Sequence, residues 1–425
     1  MRVAVWHNLP SGGGKRALYD HVRGLVERGH TVEAWCSSAA DRVYCPLSDW
    51  VREHVVDISC RPNGKPTSGW VWFRGQTLTR LSAVDRHCRL CAEEINCGAF
   101  DLLLASTCRF LYVPPIARYV RIPAVLYLQE PNRPLYEALP RLPWPALEPP
   151  ADWWRSPTYL GRRLGDSIRT RFRRVQAREE LASARAFASV LVNSYYSRES
   201  VLRAYGLDAK VCYLGIDTTL FVDEQKTREH LVVGIGAFGR HKNIDLVIQA
   251  ISRLRQPRPR LAWIGNDADE SYLKELVALA KSSSVDFQPK LKISDSELVD
   301  ILNSARIMAY APRLEPFGFA PLEGNACGLP VVAVGEGGVR ETVTDGINGL
   351  LVEHDPRAMA LAIQYVLDRP DYARQLGENG RRVVAQHWTA QRSVDRLECR
   401  LREILAPDRF VPHGKNSVPI CSTAS

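Results

Sequence analysis

Short apolar segments alternate with longer amphipathic segments along the first half of the chain. The first apolar segment, Arg2 to Trp6, predicts a buried strand, and an amphipathic helix follows from about Lys15 to Arg28. Two later segments, "FDLLLAS" and "IPAVLYLQ", are almost entirely apolar, which is typical of strands that helices cover on both faces. Strands that alternate with helices in this way predict a parallel sheet.

The same alternation restarts after residue 230. The segments "HLVVGIGAFG", "RLAWIGN", "VDFQP", "ARIMAYAP" and "PVVAV" each predict a strand, and helical patterns separate them. A chain of 425 residues is too long for one hydrophobic core. We therefore predict two similar α/β domains joined near residues 210–225, with ligands bound in the cleft where the carboxyl ends of both sheets meet.

Residues 131–160 interrupt this alternation. The segment is rich in proline and tryptophan, so it cannot form one regular element. An arginine-rich helical pattern with an apolar face follows at about Arg162 to Phe187. Trp153 and Trp154 precede these basic residues, and this combination suits binding to an anionic membrane surface. The alternative interpretation is a helix that packs over the first sheet and exposes its basic face to solvent.

The composition indicates the class of partner. With 45% hydrophobic and 24% charged residues the chain is globular, and its net charge of +9 favours anionic partners such as nucleotides or phospholipid headgroups. No nucleic-acid-binding module is recognisable, so we expect no nucleic acid partner. We expect neither a signal peptide nor a membrane-spanning helix, because the apolar segments are too short.

The eleven cysteines are scattered, with one close pair at Cys88 and Cys91. His87 and Cys97 lie nearby in sequence, but the second pair of ligands that a closed zinc site needs is missing. We expect Cys88 and Cys91 to pack as small apolar residues of a helix, without a metal. Dispersed cysteines indicate a reduced chain, and we expect a cytoplasmic location.

The segment "EPFGFAPLEGNACGLPVVAV" places Glu315 and Glu323 at the two ends of an apolar, glycine-containing stretch. Pro321 suits the first turn of a helix, and Gly328 with Pro330 suits its end. The backbone N–H groups at such a helix start are unpaired and attract anions or polar oxygens. Spacing alone leaves a second interpretation, in which Glu323 only caps the helix and Glu315 is solvated.

This segment and the following "GEGGVRETV" resemble the Glu-x7-Glu signature of family 4 retaining glycosyltransferases, also called group 1 glycosyltransferases. The resemblance extends to "VNSYYSRESVLRAYG", "VCYLGIDTTLF" and "VEHDPRAMALAI" and is continuous over about residues 190–390. It implies an α/β protein of the GT-B fold, with two Rossmann-like domains facing an interdomain cleft. It also implies transfer of a sugar from a nucleotide-diphosphate sugar to an acceptor hydroxyl, retaining configuration, with no metal or further cofactor.

The resemblance implies a division of the chain as well. Residues 1–210 would form a Rossmann-like acceptor-side domain that includes the insert near 131–160. Residues 211–385 would form the domain that binds the nucleotide sugar. Residues 386–408 would be a helix that packs back toward the N-terminal domain, and the polar segment 409–425 a disordered tail.

Several donor contacts follow from the resemblance. Glu315 with the backbone of Phe317 and Gly318 would hold the donor sugar, and Glu323 would hold the ribose hydroxyls. Lys242 would stabilise the negative charge that grows on the departing diphosphate. The other implied donor-binding residues are Phe319 at the helix start, Gly12 and Gly13 in a glycine loop that is otherwise a plain tight turn, and Gly265, Lys290 and Leu291 near the base.

Two positions depart from the family pattern. Ala237 stands where the family usually has an arginine, and Arg240 is the candidate that would supply the guanidinium instead. Gln129 stands where many members have a histidine. It can donate a hydrogen bond to the sugar or the leaving group, but it cannot transfer a proton. The neighbouring Glu130 either has an acceptor-side role or is solvated.

Two other functions remain open. The departures at Ala237 and Gln129 also fit a noncatalytic partner protein with the GT-B fold. Residues 234–239 have the G-x-G-x-x-G spacing of NAD-dependent oxidoreductases, but the acidic residue expected about 20 positions later is missing.

The leading interpretation is a retaining, metal-independent hexosyltransferase of glycan, glycolipid or polysaccharide biosynthesis. Its partners would be a UDP- or GDP-linked sugar and a glycan or lipid-linked acceptor. We expect the protein in the cytoplasm, with peripheral association with an anionic membrane surface on the cytoplasmic face.

Overall fold

Two sheets of parallel strands form the framework of the chain. The computed structural model describes residues 1–58, 69–137 and 147–406, and for residues 69–79 the backbone alone. We call the residues around the first sheet the N-terminal domain and those around the second sheet the C-terminal domain. The tail expected at 409–425 lies outside the described residues, as does part of the insert expected near 131–160.

The sheet of the N-terminal domain has seven strands in the order β3-β2-β1-β4-β5-β6-β7. The strands are β1 (Arg2–Asn8), β2 (Thr31–Ser37), β3 (Arg52–Val56), β4 (Leu102–Cys108), β5 (Ala124–Tyr127), β6 (Ser189–Val192) and β7 (Lys210–Val211). The helices are α1 (Gly13–Glu27), α2 (Gly69–Cys97), α3 (Arg133–Tyr136), α4 (Pro157–Ala184) and α5 (Tyr195–Tyr205). Every residue of β4 is buried, as the apolar sequence predicts for a central parallel strand.

The sheet of the C-terminal domain has six strands in the order β10-β9-β8-β11-β12-β13. The strands are β8 (Leu231–Ile235), β9 (Arg260–Gly265), β10 (Phe287–Leu291), β11 (Ile307–Tyr310), β12 (Val331–Val334) and β13 (Gly349–Val352). The helices are α6 (Ile244–Ile251), α7 (Glu270–Ser282), α8 (Asp295–Ser304), α9 (Phe319–Ala326), α10 (Val339–Thr342), α11 (Pro356–Leu367), α12 (Pro370–His387) and α13 (Ala390–Leu405). The prediction of two α/β domains with parallel sheets is confirmed.

The strand order reverses direction at one place in each sheet. In the first sheet the chain adds strands outward from β1 on one side and then outward from β4 on the other. In the second sheet it does the same from β8 and from β11. Loops that leave such a point turn to opposite faces of the sheet, and they leave a crevice at the carboxyl ends of the strands. The loops after β1, β8 and β11 contain six of the residues that the sequence singled out: Gly12, Arg240, Lys242, Glu315, Phe317 and Gly318.

Two segments of chain pass between the domains side by side. Ile216 N donates to Trp388 O at 2.8 Å, and Ala390 N donates to Ile216 O at 2.8 Å. The Trp388 ring packs edge-on against Tyr213 on one side, with centroids 5.1 Å apart, and against Phe317 on the other at 5.6 Å. A buried indole therefore joins the two crossing segments to the loop that precedes α9.

Helix α13 returns to the N-terminal domain and lies on α1. His21 Nε2 and Ser393 Oγ are 2.9 Å apart at this contact. Arg28 pairs with Asp395 and Glu398 at its solvent edge, at 2.6 and 3.3 Å. The axes approach closely because Gly24 has no side chain where Val394 packs.

Helix α2 contains the cysteine pair. Cys88 and Cys91 are fully buried in the apolar core, and Cys97 is exposed. His87 Nε2 accepts a hydrogen bond from Trp6 Nε1 at 3.3 Å. The expectation that the two cysteines pack as apolar residues of a helix is confirmed.

Two helices begin earlier than the sequence pattern predicts. Helix α1 starts at Gly13, because Gly12 adopts a φ of 136° and serves as its N-cap. Helix α4 starts at Pro157, where the Ser156 side chain accepts from the N–H of Tyr159.

Among the described helices, none combines the length and apolar character needed to cross a bilayer.

Substituting Gly24 with alanine tests the packing of α13 on α1. A methyl group at this position would overlap the Val394 side chain, so we expect a loss of about 1–3 kcal/mol in the free energy of unfolding. Chemical denaturation followed by circular dichroism measures the free energy of unfolding of the variant and the wild type.

The matched control is Gly161→Ala in α4, where nothing lies within 4 Å of the added carbon. Alanine should stabilise that helix by up to about 1 kcal/mol. The double variant Gly24→Ala, Val394→Ala should recover most of the loss. An unchanged stability of Gly24→Ala alone would contradict the observed contact.

Candidate active site

Lys242 and Glu315 meet at the carboxyl ends of two adjacent strands. Lys242 ends a 3-10 turn after β8, and Glu315 lies in the loop between β11 and α9. Lys242 Nζ donates to Glu315 Oε2 at 2.7 Å, and the two side chains are 15% and 19% exposed. Gly236 lets the lysine pass, because a Cβ there would lie 3.2 Å from Lys242 Cδ.

The electrostatics of Glu315 favour its ionised form. Burial raises the pKa of this carboxyl, but Lys242, Arg133 and His241 together lower it below its ordinary value. A half-buried carboxylate that stays charged is a strong acceptor for hydroxyl groups.

The loop that holds Glu315 is fixed from both domains. Within the C-terminal domain, Gly338 N donates to Glu315 O at 2.7 Å. From the N-terminal domain, Arg133 Nη1 donates to Arg313 O at 3.1 Å and Ser194 Oγ donates to Pro316 O at 2.5 Å. Glu130, in turn, accepts from Arg133 Nε at 2.5 Å, so it is paired and not simply solvated.

Helix α9 begins directly after this loop. Gly318 is its N-cap with a φ of 95°, a conformation that glycine adopts without strain. Phe317 is buried and packs edge-on against Phe319, with ring centroids 5.4 Å apart. The helix starts at Phe319, so Pro321 lies in its first turn as predicted, whereas Glu323 lies in the second turn, later than we expected.

Glu323 is buried and faces the N-terminal domain. Arg16 Nη1 donates to Glu323 Oε1 at 2.7 Å, and Arg16 Nη2 donates to Asp295 Oδ1 at 3.1 Å. Burial raises the pKa of Glu323, while Arg16 opposes that increase. The arginine reaches Glu323 from the first turn of α1.

The glycine loop and Gln129 border the same cleft. A Cβ on Gly13 would lie 3.2 Å from Phe319 Cδ2, and one on Gly14 would lie 3.4 Å from Gln129 Nε2. Gln129 Oε1 accepts from Thr107 Oγ1 at 2.9 Å. The contact with Phe319 brings the start of α1 against the start of α9, so two helix N-termini face each other here.

The residues expected near the base lie at the ends of two paired strands. Leu291 is the register partner of Gly265 in the β9–β10 pair, and the Gly265 carbonyl accepts from Lys292 N at 3.0 Å. Lys290 Nζ pairs with Glu297 at 3.0 Å, and Leu291 is exposed. Asp295, the partner of Arg16, begins the helix that follows this strand.

The comparisons with known proteins agree with this architecture. The family model described as glycosyl transferases group 1 matches residues 216–383. Over this region the chain is of the group 1 glycosyltransferase type. The family predicted from the glutamate segment is therefore confirmed, and the dehydrogenase interpretation of residues 234–239 is not needed to explain their glycines.

Two curated relatives of this group 1 glycosyltransferase are named alpha-1,3/1,6-mannosyltransferase ALG2. The one from Mus musculus is 26% identical over 91% of this chain and 92% of its own length. The one from Homo sapiens is also 26% identical, but the match covers 49% of this chain and 56% of the relative, so it spans little more than half of that protein.

Solved glycosyltransferase structures share the whole fold. Anabaena Alr3699/HepE in complex with UDP-glucose matches with a TM-score of 0.69 at 20% identity, over 95% of this chain and 100% of the other. Sucrose-phosphate synthase from Thermosynechococcus elongatus matches with a TM-score of 0.71 at 17% identity, over 96% of this chain and 100% of the other. The predicted GT-B fold is confirmed by these similarities.

Arg240 does not join the other candidates in this structure of the glycosyltransferase. Its guanidinium pairs with Glu275 at 2.6 Å and lies over the Tyr272 ring, 5.0 Å from the centroid. The side chain is 65% exposed. Arg240 would reach a diphosphate beside Lys242 only after this surface ion pair opens.

Sequence reasoning did not find four residues of the cleft. Arg16 and Arg133 bring guanidinium groups from the N-terminal domain to the loops and helix of the C-terminal domain. Asp295 is the second carboxylate that accepts a hydrogen bond from Arg16. Glu341 accepts from Tyr195 N at 2.9 Å and Tyr196 N at 3.0 Å, and so caps α5 from the opposite domain. Among these four residues, only Arg16 could have been noticed in the sequence, because it follows Lys15 directly after three glycines.

Lys15 has a different environment from its neighbour Arg16. It is fully buried in the N-terminal domain, and its Nζ has no hydrogen-bond partner among the described residues. Burial lowers the pKa of Lys15, and Glu53 opposes that decrease. Donor atoms of His7, Cys36 and Glu53 lie within 4.8 Å of one another nearby, where the Lys15 ammonium would repel a cation.

Double-mutant cycles on two ion pairs test the geometry of this site without any ligand. We expect Lys242→Met and Glu315→Gln to couple by about 1–3 kcal/mol in the free energy of unfolding, because the pair is largely buried. Arg240→Met and Glu275→Gln, the matched exposed pair, should show no measurable coupling. Urea denaturation of the four single and two double variants provides the values. Equal coupling in both cycles would contradict the burial of the first pair.

Proposed function

We propose that this group 1 glycosyltransferase transfers a hexose-type sugar from a nucleotide-diphosphate sugar to an acceptor hydroxyl and retains the configuration at the anomeric carbon. The observation that supports this most is the Lys242–Glu315 pair, with Nζ and Oε2 2.7 Å apart, directly before the start of α9. A cation, a carboxylate and unpaired helix N–H groups at one place suit a sugar joined to a diphosphate.

Each part of the donor has a proposed partner. Glu315 and the backbone N–H groups of Phe317 and Gly318 hold hydroxyls of the sugar, and Phe319 continues that row of donors. Glu323 accepts from the ribose hydroxyls. The base lies at the ends of β9 and β10, near Gly265, Lys290 and Leu291, and the start of α1 at Gly12 and Gly13 faces the diphosphate.

The chemical step breaks the bond between the anomeric carbon and the diphosphate oxygen. Negative charge grows on the leaving phosphate, and the fixed Lys242 ammonium stabilises it in a partly water-free cleft. In the retaining reaction that we propose, the acceptor attacks on the same face, and the leaving phosphate takes the acceptor proton. Gln129 orients the sugar or the leaving group through its amide donor and needs no proton transfer.

The donor and acceptor classes rest on the similar proteins. The relatives are named mannosyltransferases, and the HepE structures contain UDP and UDP-glucose. We therefore propose a UDP- or GDP-linked hexose as donor and a glycan or lipid-linked acceptor in glycan biosynthesis. Arg133, in the described part of the insert, contacts the Glu315 loop from the N-terminal domain, which suits a role of the insert in acceptor choice.

A panel of UDP- and GDP-sugars tests the donor. We expect at least one donor to raise the midpoint of thermal unfolding, and the purified protein to hydrolyse it slowly to the nucleoside diphosphate. Glu315→Ala should reduce that hydrolysis at least about 100-fold, because a contact to the reacting sugar is lost. The anomer of the first-formed sugar, observed by NMR, should match that of the donor.

The control for this experiment is Glu378→Ala, an exposed acidic residue on α12, which should leave hydrolysis unchanged. Binding without hydrolysis by the wild-type protein would favour the noncatalytic partner protein. An inverted product would contradict the retaining mechanism.

We also propose that α4 binds an anionic membrane surface. Trp153 and Trp154 precede the helix, and Trp154 is 58% exposed. Arg163 lies over the Trp153 ring at 5.4 Å, and its neighbour Arg162 is exposed. Exposed indoles beside guanidinium groups suit the headgroup region of a bilayer.

Co-sedimentation with liposomes tests this surface. We expect binding to vesicles that contain phosphatidylserine and a clear loss with Arg162→Gln, Arg163→Gln, because each basic residue near an anionic surface contributes about 1 kcal/mol. The control pair Arg374→Gln, Arg382→Gln changes the same charge on α12 and should bind normally. Equal binding to neutral vesicles would overturn the proposal.

A further inference from the structure

Arg16 connects the two domains at the carboxylate that we assign to the ribose. Its Nη1 donates to Glu323 Oε1 at 2.7 Å, and its Nη2 donates to Asp295 Oδ1 at 3.1 Å. The arginine side chain is 16% exposed and the glutamate side chain 6% exposed. This contact is therefore a largely buried bridge and not a surface ion pair.

The position of Arg16 follows from the start of α1. The helix begins at Gly13, so Lys15 and Arg16 both lie in its first turn and point in directions about 100° apart. Lys15 is buried within the N-terminal domain, while Arg16 extends across the cleft to α9. The rings of Tyr44 and Phe221 flank the guanidinium at 5.8 and 5.7 Å, and they restrict its movement.

Glu323 depends on this guanidinium electrostatically. Burial raises the pKa of the Glu323 carboxyl, Arg16 lowers it, and the like charge of Asp295 raises it. Without Arg16, a buried carboxyl would face a second carboxylate and would bind a proton more readily. A protonated carboxyl has lost part of its capacity to accept hydrogen bonds.

We propose that Arg16 is a positioning residue for the donor nucleotide, because it holds the Glu323 carboxylate in place as the acceptor for the ribose hydroxyls. This inference rests on the proposed function, in which Glu323 binds the ribose. The ribose site is then complete only when the N-terminal domain supplies Arg16 across the cleft. Nucleotide binding and the approach of the two domains favour each other.

The Arg16 contact does not use the full acceptor capacity of Glu323. An ionised carboxylate has about four acceptor positions, and a single hydrogen bond from Arg16 occupies one of them on Oε1. Two ribose hydroxyls need two of the remaining positions. The number of acceptor positions on Glu323 is therefore sufficient for Arg16 and two hydroxyls together.

Binding of UDP and GDP by isothermal titration calorimetry tests the inference on the full chain. With the nucleotide that the wild type binds more tightly, we expect Arg16→Met to raise Kd at least about tenfold, the loss typical of a charge-assisted hydrogen bond. Arg16→Lys keeps a cation on Glu323 and should recover most of the affinity. Arg16→Met combined with Glu323→Gln should bind no more weakly than Glu323→Gln alone, because both changes act through one carboxylate.

The matched control is Arg23→Met, which removes an arginine of the same helix that pairs with Glu27 at 2.9 Å and Asp217 at 3.0 Å but does not contact Glu323. It should leave Kd unchanged. Thermal midpoints without nucleotide identify any variant that fails to fold. For that case, Asp295→Asn removes the negative charge that competes with Glu323 for Arg16, and this variant should bind nucleotide at least as tightly as the wild type.

Two outcomes would overturn the inference and leave the proposed function intact. One is wild-type or tighter affinity in Arg16→Met while Glu323→Gln binds weakly, which would show that the contact obstructs the nucleotide or is irrelevant to it. The other is additive losses in the double variant. If the wild type binds neither nucleotide, the proposed function fails as well.

Discussion

Carboxylates that are removed from water need a cation within hydrogen-bond distance, and Glu315 and Glu323 in the cleft of this glycosyltransferase each have one. Lys242 and Glu315 both belong to the C-terminal domain, so their pair persists whatever the distance between the domains. Arg16 and Glu323 belong to opposite domains, so their pair exists only when the cleft is narrow. In the function that we propose, the first pair is a preorganised sugar and phosphate site, and the second makes the ribose site depend on domain approach.

Backbone geometry places both pairs. Parallel sheets direct the loops after β8 and β11 to one edge, where Lys242 and Glu315 meet. Gly236 and Gly318 allow the close approach and the left-handed turn that these loops need. The Glu315 loop has further partners from the N-terminal domain, through Arg133 and Ser194. Domain movement would therefore remove these supports of the Glu315 loop but leave the pairing of Glu315 with Lys242 within one domain.

The sequence predicted the local features of the site well, because they depend on short-range rules. Apolar segments of strand length predicted both sheets, and the run from Glu315 to Glu323 indicated a helix start between two carboxylates. The family resemblance then implied a sugar and a ribose as ligands of those carboxylates, which stays a prediction. Pro321 lies in the first turn of that helix, as predicted, and the N-cap conformation of Gly318 places Glu323 in the second turn.

Contacts between the domains could not be predicted in the same way. Arg16 and Glu323 are separated by 307 positions, and Arg133 and Arg313 by 180. No periodicity or turn rule relates such distant residues. The insert that contains Arg133 has an irregular proline-rich pattern that fixes no element. Arg240 shows the converse, since proximity to Lys242 in sequence did not bring its guanidinium to Glu315.

A crystal structure of the protein with an intact, unreactive nucleotide-sugar analogue tests the central claim most directly. The account predicts ribose hydroxyls within about 3 Å of the Glu323 carboxylate, a hydroxyl of the sugar at a similar distance from Glu315, and a phosphate oxygen beside Lys242 Nζ. A nucleotide bound elsewhere, or bound here with either carboxylate turned away from it, would contradict the account.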